Sequence, residues 1–232
     1  MKNQSDRDFL KSKIKDFQDF GLQQTDVLIA GRTNMHGQRS ADLDPRVITL
    51  FDVGAIEALQ KQAQDRPVSL EVGFGKGRSL LMYAKQHPDR LILGVEVRRS
   101  LCNRVIKKAD KQGLENIRLL LGDSREMLPA IFPKPTVDEV FLLFPDPWWK
   151  HKHARRRYGP AFFTMLAAII RPGGLLVIKS DVKEYLDFLN RAVDSTGRFR
   201  TTRMPVGLPW TNREVRLRDS GFPVFESAFS IG

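Results

Sequence analysis

From Pro67 onward, short apolar runs alternate five times with longer segments of helical composition. The runs are almost continuously apolar, as is usual for strands that helices cover on both sides. The predicted strands are 68–72, 90–97, 116–122, 138–144 and 174–180, and the predicted helices are 77–86, 98–112, 124–131, 160–171 and 182–195. Repeated strand–helix alternation requires parallel strands that are joined by right-handed crossovers. The sequence therefore predicts an α/β fold with a doubly wound, mostly parallel sheet.

Both ends of the chain depart from this alternation. Residues 198–203 and 222–230 have the composition of strands, and we expect no helix in the loop between them. Two strands without a crossover helix pair antiparallel. The complete prediction is a seven-stranded, Rossmann-like sheet with an antiparallel C-terminal hairpin, spanning 66–232. Residues 1–65 are predicted to form an N-terminal extension, with an amphipathic helix over 5–20 and a long flexible loop.

Charge and cysteine content restrict the partners and the location of this chain. Thirty-eight Lys and Arg against 27 Asp and Glu give a formal charge of +11, and a polyanionic partner is the usual reason for such an excess. A membrane surface fits the charge equally well, but neither a long apolar run nor a basic amphipathic anchor is visible. Cys102 is the only cysteine, which excludes an intramolecular disulfide and a thiolate metal cluster. The first residues also lack the apolar core of a signal peptide. We expect a cytoplasmic protein without metal or membrane association.

A glycine-rich turn follows the first of the five strands, in the sequence Glu71-Val-Gly73-Phe-Gly75-Lys-Gly77. In open α/β sheets, ligands bind outside the carboxyl ends of the strands, and glycines let a ligand approach the backbone. The glycine spacing is shorter by one residue than that of the dinucleotide-binding fingerprint. Glu71 would repel a pyrophosphate, but it would suit a ligand that carries an ammonium or a sulfonium group.

Two further acids follow the next two strands. Glu96 lies in GVEV at the end of the second predicted strand, nineteen residues after Gly77. A carboxylate at this position accepts both ribose hydroxyls in nucleoside-binding folds. The alternative is a solvent-exposed acid at a strand end. Asp123 either caps the next helix, accepts from the exocyclic amine of an adenine, or does both. Acids after successive strands indicate an adenosine-containing, positively charged ligand, and S-adenosylmethionine fits best.

The fourth predicted strand runs into the segment FLLFPDPWWKHKHARRRYGP. Pro145 and Pro147 stiffen the exit loop around Asp146, at the expected active-site edge. An aromatic pair and a basic cluster follow: Trp148, Trp149, Lys150, Lys152, Arg155, Arg156 and Arg157, with His151 and His153. A charge run is usually a solvated face, but basic residues beside aromatic ones suit phosphate contacts and base stacking.

The segment FPDPWWKHKHARRR closely resembles the signature of the bacterial tRNA (guanine-N(7)-)-methyltransferase family. EVGFGKG, GVEV, the acid after the third strand, Asp181 in KSD and TNRE at 211–214 agree with the same family. The resemblance covers roughly 68–229, and the family usually has an aromatic residue where this chain has Arg213. It implies a class I S-adenosylmethionine-dependent methyltransferase domain over 66–232, a monomer or homodimer. The implied reaction is methylation of nitrogen-7 of the variable-loop guanosine, position forty-six, of tRNA.

The resemblance, together with the acids and basic cluster described above, assigns roles to individual residues. Asp146 is predicted to be catalytic. The predicted cofactor-binding residues are Glu71, Gly73, Gly75, Gly77, Glu96, Asp123 and Asp146. The predicted substrate-binding residues are Lys150, Asp181, Thr211, Glu214, Arg155, Arg156 and Arg157. Asp146, Asp181 and Glu214 are also the acids available to hydrogen-bond donors on the Watson–Crick edge of guanine.

Other interpretations remain at this stage. The chain could be a methyltransferase for another RNA site or for protein, or a non-catalytic RNA-binding module that has kept the fold. A nicotinamide dehydrogenase is disfavoured by the glycine spacing and by Glu71.

The chemistry of the implied reaction makes few demands on the protein. Nitrogen-7 of guanine carries an exposed lone pair. Its methylation needs proximity and in-line alignment more than a strong general base.

Overall fold

A computed structural model describes residues 43–147 and 158–232. The predicted helix over 5–20, most of the N-terminal loop and the segment from Trp148 to Arg157 lie outside the described residues. The described strands are β1 (Val47–Ile48), β2 (Val68–Val72), β3 (Leu91–Glu96), β4 (Ile117–Leu121), β5 (Val137–Leu143), β6 (Ile170–Ser180), β7 (Phe199–Thr201) and β8 (Phe225–Ile231). The described helices are α1 (Val53–Asp65), α2 (Arg78–Gln86), α3 (Arg99–Lys111), α4 (Ser124–Ile131), α5 (Pro160–Ile169), α6 (Lys183–Asp194) and α7 (Asn212–Asp219). None of these helices has the length and apolar character that crossing a membrane requires.

The strands form one sheet in the order β1-β4-β3-β2-β5-β6-β8-β7. Strands β1 to β6 pair in parallel, whereas β8 pairs antiparallel with both β6 and β7. From β2 the chain proceeds through β3 to β4, and then returns to β5 and β6 on the other side of β2. This reversal is the topological switch of a doubly wound sheet, so the predicted fold class is confirmed.

The helices cover both faces of the sheet, which explains why its central strands are almost entirely apolar. Helices α2 and α3 pack on one face, around Leu80, Ile92 and Val105. Helices α1, α4, α5 and α6 pack on the other face and enclose the larger part of the core. All five residues of β2 are buried, including Ser69 and Glu71. A carboxylate is therefore held inside the protein at the centre of the sheet.

Within the described ranges the sheet has eight strands, one more than the seven predicted from the sequence. The additional strand is β1, whose two residues pair with β4 at the edge of the sheet. Helix α1 also lies in the segment predicted as an N-terminal extension, and it buries Ile56, Leu59 and Ala63 in the main core. The two-residue strand is too short for an apolar pattern to show. Residues 47–65 are thus part of the same sheet and core as the residues that follow.

The C-terminal strands pair antiparallel as predicted, but the expectation that no helix lies between them was wrong. Helix α7 begins after Thr211, whose Oγ1 accepts a hydrogen bond from the backbone N–H of Glu214 at 3.0 Å. The helix sequence NREVRLRD is almost entirely polar, and Glu214 is its buried residue. Apolar periodicity consequently gives no signal for this helix.

Candidate active site

Five acidic residues lie at the carboxyl ends of five neighbouring parallel strands. In their order across the sheet they are Asp123 after β4, Glu96 in β3, Glu71 in β2, Asp146 after β5 and Asp181 after β6. Neighbouring strands are about 4.8 Å apart, so the row extends over roughly 19 Å. The switch point between β2 and β5 lies inside this row, and ligands bind at such points. The predicted cofactor acids of β2, β3 and β4 are adjacent on one side, and the acids after β5 and β6 lie on the other.

The glycine turn after β2 leaves open space at the centre of this edge. Gly73, Gly75 and Gly77 have φ values of 73°, 54° and 72°, a left-handed conformation that glycine adopts without strain. A Cβ atom at Gly73 or Gly75 would meet no other atom within 4 Å. A Cβ at Gly77 would lie 2.4 Å from Cγ2 of Val105, so this glycine allows α3 to pack on the turn. The first two glycines therefore offer their backbone to a ligand.

Glu71 is a buried carboxylate next to this open space. The Oγ of Ser79 lies 2.7 Å and 2.8 Å from its two carboxylate oxygens. Burial raises the pKa of Glu71 from 4.5 to about 7, and the hydrogen bond from Ser79 reverses only part of that rise. A positively charged ligand beside this carboxylate would lower its pKa and compensate its charge. The donor set at the turn thus fits the ammonium and sulfonium groups of S-adenosylmethionine.

Glu96 is held in place by the loop that follows β3. Its Oε1 accepts hydrogen bonds from the backbone N–H groups of Val97 at 3.0 Å and Arg98 at 3.2 Å. The residue is 7% exposed, which disagrees with the alternative of a solvent-exposed acid at a strand end. A buried, oriented carboxylate at the end of the second strand is the arrangement that accepts ribose hydroxyls in this type of fold.

Asp123 caps helix α4. Its Oδ1 accepts from the backbone N–H of Arg125 at 2.9 Å, and the Arg125 guanidinium pairs with the same carboxylate. The helix-capping interpretation is therefore confirmed. Contact of Asp123 with an adenine amine stays a prediction.

A strained residue directs the loop that carries Asp146. Phe144 has a φ of 55° and is the non-glycine residue with positive φ in the described ranges. This conformation costs a bulky residue about 1–2 kcal/mol. The backbone N–H of Phe144 donates to the carbonyl oxygen of Lys179 on β6 at 2.8 Å, which holds the turn against the neighbouring strand. Asp146 follows the turn and is exposed at the same edge. Strain at this point indicates that the direction of the loop matters for function.

Two ion pairs fasten α7 to the carboxyl end of β6. Glu214 is completely buried, and its Oε1 lies 3.1 Å from Nζ of Lys179 and 2.8 Å from Nη2 of Arg218. Arg213, the preceding residue of the helix, pairs with Asp181. These contacts bring the segment 211–214 onto the end of β6, beside the loop that carries Asp146.

The structure thus brings together three of the predicted substrate residues, Asp181, Thr211 and Glu214. Thr211 caps α7, and the carboxylate of Glu214 is engaged by two cations of the protein. Sequence reasoning missed Lys179, and the available signal was a lysine inside an otherwise apolar run. The predicted contacts of Lys150, Arg155, Arg156 and Arg157 fall outside the described residues.

Comparison with solved structures shows which proteins share this fold. The 16S rRNA methyltransferase KamB superimposes with a TM-score of 0.57 at 21% identity, over 76% of this chain and 93% of the KamB chain. The aminoglycoside resistance methyltransferase NpmB1 gives a TM-score of 0.56 at 21% identity, with the same coverage. The switched sheet with its glycine turn has the fold of the class I methyltransferases, the class that uses S-adenosylmethionine.

Comparison with related sequences shows the family to which this chain belongs. A family model described as a putative methyltransferase matches residues 65–214. The tRNA (guanine-N(7)-)-methyltransferase of Nitrosococcus oceani is 35% identical over 164 residues, covering 69% of this chain and 70% of that protein. The enzyme of the same name from Myxococcus xanthus is 33% identical, covering 69% of this chain and 82% of that protein. The chain belongs to the tRNA (guanine-N(7)-)-methyltransferase family.

Proposed function

We propose that this protein transfers the methyl group of S-adenosylmethionine to nitrogen-7 of a guanosine in tRNA, the variable-loop guanosine at position forty-six. The observation that carries this proposal is the row of five acids, with the open glycine turn at its centre. Family membership supports the choice of base and RNA. The formal charge of +11 is consistent with a polyanionic substrate, and a tRNA substrate favours a cytoplasmic location.

The three acids on β2, β3 and β4 would hold the cofactor, which supplies a methyl group activated by a sulfonium. Glu71 would compensate the positive charge of the ammonium or the sulfonium. Glu96 would accept hydrogen bonds from the two ribose hydroxyls. Asp123, already the cap of α4, would accept from the adenine amine. These three acids lie on adjacent strands, so a single extended ligand would be able to contact all of them.

The acceptor side of the site requires orientation and charge stabilisation. Nitrogen-7 uses its own lone pair, so no proton is removed before the new N–C bond forms. The guanine would become positively charged on methylation, and the bound cofactor would supply the leaving group, a neutral thioether. Asp146 follows β5, next to Glu71 of β2 across the switch point. A carboxylate at that place would stabilise the positive charge or accept from the Watson–Crick edge.

The other two acids of the acceptor side have different surroundings. Glu214 is enclosed by Lys179 and Arg218, so we assign it to positioning α7 and the segment 211–214. Asp181 is paired with Arg213 at the protein surface, and we propose that it meets the substrate from that position. Asp146 is therefore the acid to which we assign the contact with the reacting guanine.

Methyl transfer to a defined nucleotide tests the proposal directly. The protein is incubated with methyl-labelled S-adenosylmethionine and an unmodified tRNA transcript, and the labelled base is mapped after nuclease digestion. We expect 7-methylguanosine at position forty-six, and no label in a transcript with adenosine at that position. Label in another nucleotide, label only in ribosomal RNA, or no incorporation at all would overturn the proposal.

A further inference from the structure

The side of α3 that faces away from the sheet carries a row of basic side chains. Arg104, Lys107, Lys108 and Lys111 follow one another at intervals of three, one and three residues, which places them on one side of a helix. Three of them are exposed, Lys108 is half-buried, and together they line a shallow surface groove. We refer to these four residues as the α3 basic face.

The α3 basic face is not neutralised by its own helix. Asp110 is the acidic residue in the sequence of α3, and it accepts instead from Nη2 of Arg46 at 2.7 Å. Like charges three and four residues apart destabilise a helix. The helix dipole offsets this for Lys108 and Lys111 in the last turn, but Arg104 lies too far from that end. Such an arrangement favours an anion supplied from outside the protein.

The α3 basic face continues into the cofactor turn. Nζ of Lys108 donates to the carbonyl oxygen of Lys76 at 3.3 Å, and Val105 packs directly against Gly77. The side chains of Lys76 and Arg78 in this turn are exposed. One basic surface therefore extends from the edge that holds the active site along the length of α3.

We infer that the α3 basic face binds the sugar–phosphate backbone of a double-helical arm of the tRNA, at a distance from the methylated guanosine. This inference rests on the proposed function. Arg104 and Lys111 are about 10 Å apart along the helix, and a nucleic acid duplex carries one charge for about every 1.7 Å of its axis. Strands β3 and β5 are also about 10 Å apart. A ligand that reaches both the α3 basic face and Asp146 is therefore larger than one nucleotide.

Neutralising two positions of the α3 basic face tests the inference. We compare the double variant Lys107→Gln/Lys111→Gln with the matched control Lys61→Gln/Arg191→Gln. The control residues are exposed on α1 and α6, which pack on the opposite face of the sheet. We measure tRNA binding over a range of salt concentrations, in which log affinity decreases with log salt. The slope should become less steep by about two in the test variant. Affinity at low salt should fall by about tenfold or more, and the control should keep the wild-type slope.

Enzyme kinetics separate a docking surface from a catalytic role. The test variant should raise the KM for tRNA, keep kcat at saturating tRNA, and keep the calorimetric affinity for S-adenosylmethionine. A salt slope equal to that of the control would show a solvated face and overturn the inference, as would a fall in kcat with an unchanged KM. Failure of the proposed function is distinct, because the wild-type protein itself would then form no 7-methylguanosine in tRNA.

Discussion

Nζ of Lys179 lies 3.1 Å from Oε1 of Glu214, and the side chains of both residues are almost completely buried. This contact links the carboxyl end of β6 to α7. A charge pair enclosed in this way makes a small net contribution when intact, but the loss of one partner leaves the other charge buried. The segment 211–214 therefore depends on Lys179 for its position at the active site.

Substitution of Glu214 should destabilise the protein. Glu214→Gln leaves Lys179 with the half-exposed Glu226 at 3.5 Å as its remaining carboxylate. Loss of one partner of a buried pair costs about 3–5 kcal/mol, and we expect a value near the lower limit in urea unfolding. Arg218→Ala is the control, because the Arg218 side chain is 41% exposed. This substitution should cost less than about 1 kcal/mol. Equal losses for the two variants would contradict the buried-pair account.

Cofactor affinity should depend on pH through Glu71. Its pKa of about 7 in the free protein should fall when a cation binds beside it, so binding releases a proton. Affinity for S-adenosylmethionine should increase roughly tenfold between about pH 6 and pH 7.5. Calorimetry in buffers of different ionisation enthalpy measures this release. Ser79→Ala should shift the profile to higher pH, since Ser79 lowers the pKa, and Glu71→Gln should abolish it.

The ionisation of Glu71 also changes the free energy of unfolding, in a direction that follows from its pKa. The folded-state pKa of Glu71 is raised from 4.5 to about 7. Between these values the folded protein keeps a proton that the unfolded chain has released. The contribution of Glu71 to the free energy of unfolding should therefore decrease as the pH rises through this window. A contribution that increases over the same range, judged against Glu71→Gln, would show that the carboxylate is stabilised in the ionised form.

Glu96 should control cofactor affinity without affecting tRNA binding. If it accepts both ribose hydroxyls, Glu96→Ala removes two charge-assisted hydrogen bonds of about 1.5–3 kcal/mol each. Affinity for S-adenosylmethionine should then fall by about two orders of magnitude or more, measured calorimetrically. Glu96→Gln keeps the shape and should lose less. Unchanged affinity in a folded Glu96→Ala variant would contradict the assignment.

Asp146 should control turnover. Asp146→Asn keeps the shape of the side chain but removes the charge that would stabilise the methylated guanine. We expect turnover to fall by roughly two to four orders of magnitude, while tRNA binding stays constant or improves slightly. Single-turnover methylation at saturating cofactor and tRNA measures this. Near-normal turnover would show that Asp146 only shapes the loop, and the catalytic role would pass to Asp181.

The basic segment after Trp149 should contribute to tRNA binding. Changing Arg155, Arg156 and Arg157 to Ala removes three positive charges, so fewer counterions are released when tRNA binds. Affinity for tRNA and its dependence on salt should both decrease, whereas cofactor affinity should not change. A triple variant that keeps the wild-type salt slope would identify the segment as a solvated face.

The row of acids could be predicted from the sequence because it depends on backbone topology alone. Each acid lies within two residues of the end of an apolar run, and parallel strands place all their carboxyl ends at one edge. The order of the acids across that edge depends on the reversal after β4, which alternation of strands and helices does not fix. Asp123 and Asp181 are therefore at opposite ends of the row. Asp123 and Asp146 follow consecutive strands of the chain, but Glu96 and Glu71 lie between them in the row.

The contacts around Glu214 could not be predicted in the same way. Pattern analysis assigns charged residues to the surface, and α7 contains five charged residues among its eight. Only the tertiary contact with Lys179 shows that one of these charges is internal. The backbone strain at Phe144 could not be predicted either, because a phenylalanine gives no sequence signal for a left-handed backbone.

Strand β8 follows β7 in the chain but lies between β6 and β7 in the sheet. Until β8 has been inserted, β7 has no neighbour, and the six residues Leu175–Ser180 of β6 lack a partner on one side. An open strand of that length is a template for pairing with another chain. The insertion of β8 therefore completes the C-terminal side of the sheet and also protects the folding chain from association with its own copies.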